Sequence, residues 1–264
     1  MPLADTITGT RWVLKLYRDD DPSNPRDDDN VGTMVCWHRN YDLGDEQPRA
    51  DFADWRRELA CELDPTLERR IDYWENGNGW VHLYRTRSDE EACKQSHERV
   101  DALVDAVLAR ETIMLPLYLF DHSGISMRTS SRAFRACDPA GWDWGAVGVI
   151  YCTRQRALAE WGKAGGKLTR AVREKAERSM RGEVSIYNDY LTGNVYGFVL
   201  KRQVDPANED EPDALEEVDS CWGFYGDDPL SNGMADHLPE EVLTDLYGPD
   251  WRAKYDKTTL RKEV

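Results

Sequence analysis

Apolar and polar positions alternate with period two over residues 10–17, where Trp12, Leu14 and Leu16 interleave with Arg11, Val13, Lys15 and Tyr17. That spacing predicts a partly buried strand. Extended patterns recur at 31–37, 80–85, 113–120, 146–152, 195–203 and 218–225. Pro116 lies inside the run 113–120 and assigns it to an edge or a bulged position, because proline has no N–H for the ladder. Helical spacing of three and four marks 49–63 through Phe52, Trp55 and Leu59. Ser88, followed by Asp89, Glu90 and Glu91, predicts a capped helix start. Ala92, Ser96, Val100, Leu103, Val104, Val107 and Leu108 form the stripe that this helix buries.

The longest periodic run is Leu168, Val172, Ala176, Met180, Val184, Tyr187 and Leu191, which predicts one long amphipathic helix over 167–191, stopped by Gly193. Its Arg170, Arg173, Lys175, Arg178 and Arg181 form a basic band, read either as a positive surface or as a solvated face paired with Glu174, Glu177 and Glu183. A short helix closes the pattern at 239–247. Strands and helices follow one another without a regular β-α-β rhythm. The expected fold is therefore a mixed α+β domain spanning 1–264, with a mainly antiparallel sheet and several helices.

Charge changes the picture between these elements. The 264 residues carry 50 acidic and 34 basic side chains, a formal net charge of −16. Affinity for a phosphate backbone comes largely from Lys and Arg displacing counterions, so direct nucleic-acid binding is disfavoured and a partner with a basic surface is favoured. The acids concentrate in two loops. One, near 19–30, holds Asp19, Asp20, Asp21, Asp27, Asp28 and Asp29. The other, at 205–217, holds Glu209, Asp210, Glu211, Asp213, Glu216 and Glu217. With no signal-peptide pattern and no run of about eighteen apolar residues, a cytoplasmic protein away from membranes is expected. The six cysteines are scattered, with no Cys-x-x-Cys pair, and are expected to be free and mostly buried.

Candidate chemistry sits at strand ends. Asp121-His122-Ser123-Gly124 follows an apolar strand, so His122 is a candidate general base or metal ligand, with Asp121 beside it and Asp189 as a third catalytic candidate. The alternative is a tight turn closed by Gly124 with an inert His122. His38, near Asn40, Asp42 and Asp45, follows another strand end, and with His122 could supply ligands to a divalent metal. Asn188, Asp189 and Asn194 also suit a helix end. Trp142, Trp144, Trp222, Phe224 and Tyr225 stand among glycines and aspartates, with Trp222 and Tyr225 as candidate binding residues. No phosphate loop, dinucleotide fingerprint, His-Glu-x-x-His or nucleophile elbow is present, and no cofactor is implied.

Five segments occur in a recognisable order: Gly32-Thr-Met-Val-Cys-Trp-His38, Tyr118-Leu-Phe-Asp-His-Ser-Gly124, Gly148-Val-Ile-Tyr151, Tyr190-Leu-Thr-Gly-Asn-Val-Tyr-Gly-Phe198 and Asp219-Ser-Cys-Trp-Gly-Phe-Tyr-Gly226. Together they resemble an uncharacterised family of bacteriophage and other mobile elements. The resemblance implies a role in replication, takeover or evasion of host defence. Tyr187, Asn188, Leu191, Gly193, Gly197 and Phe198 are also similar, with different spacing, to a pattern of plasmid antirestriction proteins that imitate DNA with surface carboxylates.

Three functions are expected on this basis. The first is an accessory protein that binds and inhibits a host defence or nucleic-acid-handling protein, its acidic loops occupying a basic groove. The second is a metal- or His-assisted hydrolase or nucleotide-modifying enzyme centred on Asp121 and His122. The third is a homo-oligomer joined through its aromatic clusters.

Overall fold

The computed structural model describes residues 1–204 and 215–255. Among them the order is β1 (Leu3–Thr8), β2 (Trp12–Arg18), β3 (Thr33–Cys36), α1 (Phe52–Leu63), α2 (Leu67–Glu75), α3 (Asn78–Thr86), α4 (Asp89–Glu111), β4 (Thr112–Asp121) and β5 (Ile125–Arg128). There follow α5 (Arg132–Cys137), β6 (Trp144–Thr153), α6 (Arg154–Trp161), α7 (Arg170–Leu191), β7 (Val195–Gln203), β8 (Leu215–Tyr225) and α8 (Glu240–Tyr247). The fold is α+β. The two sheets have orders β1-β2-β7-β8 and β3-β6-β4-β5. The strand registers run antiparallel, and one isolated parallel bridge joins Val35 and Glu46.

The chain forms two compact units, each assembled from separated segments. The first comprises 1–30, 118–146 and 181–264, and the second 31–117 and 147–180. In the first, one face of the β1-β2-β7-β8 sheet presents Leu14 and Leu16 from β2, Phe198 and Leu200 from β7, and Phe224 from β8. Met234, Leu238, Val242 and Leu243 from the C-terminal segment cover that face. Asp245 of α8 ties the covering layer to the β1–β2 turn, its carboxylate accepting from the backbone N–H groups of Thr10, Arg11 and Trp12 at 3.1, 2.9 and 3.0 Å.

In the second unit, α1, α2 and α4 pack through Trp55, Leu59, Leu67, Ile71, Val100, Val104 and Val107 onto Val35 of β3 and Val149 of β6. Ser88 caps α4 as expected, its Oγ accepting from Glu91 N–H. The stripe expected on α4 is buried at Ala92, Ser96, Val100, Val104, Val107 and Leu108.

Three local expectations are corrected. Residues 80–85 lie within α3 rather than a strand. Gly77 turns the chain directly into the helix, where Gly79 sits against the Tyr73 and Trp74 rings at a distance that leaves no room for a Cβ. The strand containing Pro116 is interior to its sheet order, which excludes the edge, one of the two positions expected for that proline. β5 pairs only with Tyr118–Asp121, so at the exposed Pro116 that flank of β4 has no ladder hydrogen bond to lose. The cysteines are free, but only Cys36 and Cys152 are buried, while Cys93 and Cys137 are exposed. No helix of the described residues is long and apolar enough to cross a membrane.

Candidate functional site

The acidic loop after β2 is a built structure. Asn24 Oδ1 accepts from Arg26 N–H at 3.0 Å and starts a 3-10 turn over Pro25–Asp27. Asn30 Nδ2 donates to the carbonyls of Pro25 and Asp28, both at 2.9 Å. Tyr225 of β8 donates its hydroxyl to Ser23 O at 2.7 Å. Asp19 anchors the loop start, its N–H bonded to Val195 O and its carboxylate accepting from Asp21 N–H.

Arg26 adds a buried ionic tether. Its guanidinium reaches Glu183 of α7 at 3.1 Å, with the two side chains only 3% and 11% exposed. A charge pulled that far from water holds position only while paired. Around this buried pair, Asp20, Asp21, Asp27, Asp28 and Asp29 are exposed, and Asp20 also meets the N-terminal ammonium at 2.9 Å. The Tyr225 hydroxyl has its pKa raised by burial first and then, against the relief of its bond to Ser23, by the negative field of Asp28 and Asp19.

The second acidic segment is described only at its end. Glu209, Asp210, Glu211 and Asp213 lie outside the described residues. Glu216 and Glu217 belong to β8 rather than to a loop, opposite Arg202 and Lys201 of β7, and Glu216 accepts from Arg202 at 2.6 Å. Trp222 and Phe224 of the same strand face opposite sides although they are two residues apart. Gly223, at φ +86°, supplies the extra residue of a bulge between the pairs Phe198–Cys221 and Tyr196–Phe224. Phe224 thereby joins the core, and Trp222 lies over Gly197, near the Tyr17 ring at 6.2 Å. Trp142, in the loop before β6, is 88% exposed.

His122 lies in the short turn joining β4 to β5. Its Nδ1 is 3.0 Å from Asp143 Oδ2, and Asp121 N–H donates to Asp143 O. Asp143 was not foreseen in the sequence, because only the placement of β6 beside β4 in the sheet brings it next to a residue so far along the chain. Ser123 has φ +53°, the one positive value of a non-glycine among the described residues. A carboxylate that accepts from Nδ1–H leaves Nε2 as an outward acceptor, the arrangement of a general base. The His122 side chain is nevertheless 65% exposed, so water competes for every contact it makes.

The remaining candidates have other partners. The carboxylate of Asp189 accepts from Asn194 Nδ2 at 3.1 Å, closing the end of α7, and no described contact joins it to His122. His38 Nδ1 accepts from Asn40 N–H at 3.2 Å, and its ring stacks on Tyr41. Asp45 holds Met34 N–H at 2.7 Å. Among the described residues no group of three or more His, Cys, Asp or Glu side chains is placed to hold a metal ion. Glu46 has its pKa raised by burial and by the neighbouring charges of Asp45 and Glu62. The basic band of α7 is partly consumed by internal bonds: Arg170 pairs with Glu174, Arg173 donates to the carbonyls of Thr112 and Ala109, and Glu183 pairs with Arg26. Against known proteins, no family model, no curated protein and no solved structure matches this chain.

Proposed function

We propose that the protein is a binding protein that engages a partner with a basic surface through the carboxylates of the 19–30 loop, and that it inhibits that partner by competition. The observation carrying this reading is the loop's construction. A solvated acidic linker needs no internal scaffold, whereas this one is held by a buried Arg26–Glu183 pair, the Asn24 and Asn30 bonds, and the Tyr225 hydroxyl. Fixing the backbone before binding lowers the ordering cost of association. Exposed like charges on a fixed frame steer a cationic partner and set its register. The resemblance to mobile-element proteins would make that partner a host defence or nucleic-acid-handling protein in the cytoplasm of a bacterial host.

The test compares wild type with a variant carrying Asn at positions 20, 21, 27, 28 and 29. Host proteins captured by wild type at low salt are expected to be lost from the variant and eluted from wild type by about 0.5 M salt, since exposed charges are screened within a few ångströms there. The captured protein is expected to release its nucleic acid when wild type is added. Capture that is equal for both proteins and unaffected by salt overturns the proposal.

A second reading rests on the His122–Asp143 contact. Hydrolase activity that disappears in both His122→Ala and Asp143→Asn and survives in the five-fold Asn variant would favour it over competition.

A further inference from the structure

Within the first unit, β5, α5 and the C-terminal half of α7 border a cavity of about 510 Å³. Three arginines line it, Arg128, Arg132 and Arg181, together with three hydroxyls, Thr129, Ser130 and Ser185. No carboxylate lines it, in a chain with 50 acidic residues against 34 basic ones. Arg128 and Arg132 are exposed, and neither guanidinium has an ion-pair partner among the described residues.

The polar groups are oriented as donors. Arg181 Nη1 donates to Thr129 Oγ1 at 3.0 Å, so the Thr129 hydroxyl proton is available to another acceptor. Asn188, at the cavity wall, accepts through Oδ1 from Met127 N–H at 2.9 Å and from Ser126 Oγ at 2.8 Å. A backbone N–H can only donate, which settles which end of the amide is oxygen. The Asn188 NH2 is thereby left as a donor with no partner among the described residues. Met127 and Val184, both buried, add an apolar wall.

We infer that this cavity is a binding site for a small phosphomonoester that carries an uncharged body, of the size of a nucleoside monophosphate. Guanidinium groups bind phosphate oxygens through paired N–H donors, and the hydroxyl and amide donors complete a shell that a dianion fills and a neutral molecule does not. The volume falls in the range of about 300–1,000 Å³ usual for small-molecule sites, well above the needs of a bare phosphate ion. The body of the ligand would lie against Met127 and Val184. This site is independent of the acidic loop, and neither depends on the other.

Calorimetric titration of the full chain with adenosine and uridine monophosphates, adenosine, inorganic phosphate and a ten-nucleotide single strand tests the assignment. A monophosphate is expected to bind at least about tenfold more tightly than inorganic phosphate, since the apolar wall adds to the anion contacts. Adenosine is expected to give no heat of binding. An Arg128→Gln/Arg132→Gln variant is expected to lose at least about tenfold in affinity with its unfolding midpoint unchanged, as for substitution of exposed residues. Arg178→Gln, on α7 but outside the cavity, is expected to bind as wild type does. The inference is overturned if no phosphate-bearing probe binds, if the double variant binds as well as wild type, if inorganic phosphate binds as tightly as the monophosphates, or if only the oligonucleotide binds.

Discussion

Arg26 carries a disproportionate share of the local order. It is one cation inside a run of acids, and its guanidinium reaches Glu183 of α7. Removing one partner of a buried pair leaves an uncompensated charge and costs about 3–5 kcal/mol in comparable proteins. Arg26→Ala is therefore expected to destabilise the protein by about that amount in denaturant unfolding. Joint replacement of Arg26 by Met and Glu183 by Leu is expected to cost less than Arg26→Ala, because both buried charges of the pair are then removed together. A cost for Arg26→Ala below about 1 kcal/mol would mean that the pair does not hold the loop.

Two elements depend on backbone details that side-chain patterning does not express. The bulge in β8 needs Gly223 at φ +86°, which L side chains adopt only at a cost of about 1–2 kcal/mol. Gly223→Ala is expected to lose about that much stability and to shift Trp222 fluorescence, because the residue that separates the Trp222 and Phe224 faces is strained. An unchanged spectrum and midpoint would contradict this role. The α8 tether predicts a pH effect. Burial raises the pKa of Asp245, but hydrogen bonds from the Arg11, Trp12 and Thr10 N–H groups outweigh it, and the folded pKa lies below the ordinary 3.8. Its contribution to stability is thus complete above pH 3.8 and is lost as pH falls through the lower folded value. Asp245→Asn is expected to be less stable than wild type at pH 6, with the gap narrowing below pH 3.8. A gap that stays constant down to pH 2 would exclude the linkage.

For the whole molecule, the net charge of −16 is a property of the surface, and its removal should be felt in association before it is felt in folding. Replacing Asp20, Asp21, Asp27, Asp28 and Asp29 by Asn is expected to change unfolding stability by less than about 0.5 kcal/mol. Any change is expected to be toward higher stability at low salt, since exposed like charges repel, and to vanish as salt screens them. Calorimetry at 20 mM and 500 mM salt checks both parts, and a destabilised variant at low salt would mean that these aspartates are structural.

The elements whose existence was legible in the amino-acid order are those with a strong period and a local stop. α4 carries its cap at Ser88, α7 its buried stripe and terminal glycine, and β7 and β8 their extended runs at 195–203 and 218–225. These features arise from interactions a few residues apart, so the chain determines them without reference to the rest of the fold. The acid excess and the position of the first acidic loop were equally plain. Tertiary structure decided what lay between distant segments. Residues 80–85 read as a strand by composition, yet contacts with Tyr73 and Trp74 and burial of Leu83 make them helical. Pairing of Arg26 with Glu183, of His122 with Asp143, and of Asn188 with Met127 joins residues whose sequence neighbours carry no trace of the partner. The arginine-lined cavity belongs to the same class, because its charges become one site only when β5, α5 and α7 bring them together, and the field of such a cluster depends on distance in space rather than along the chain.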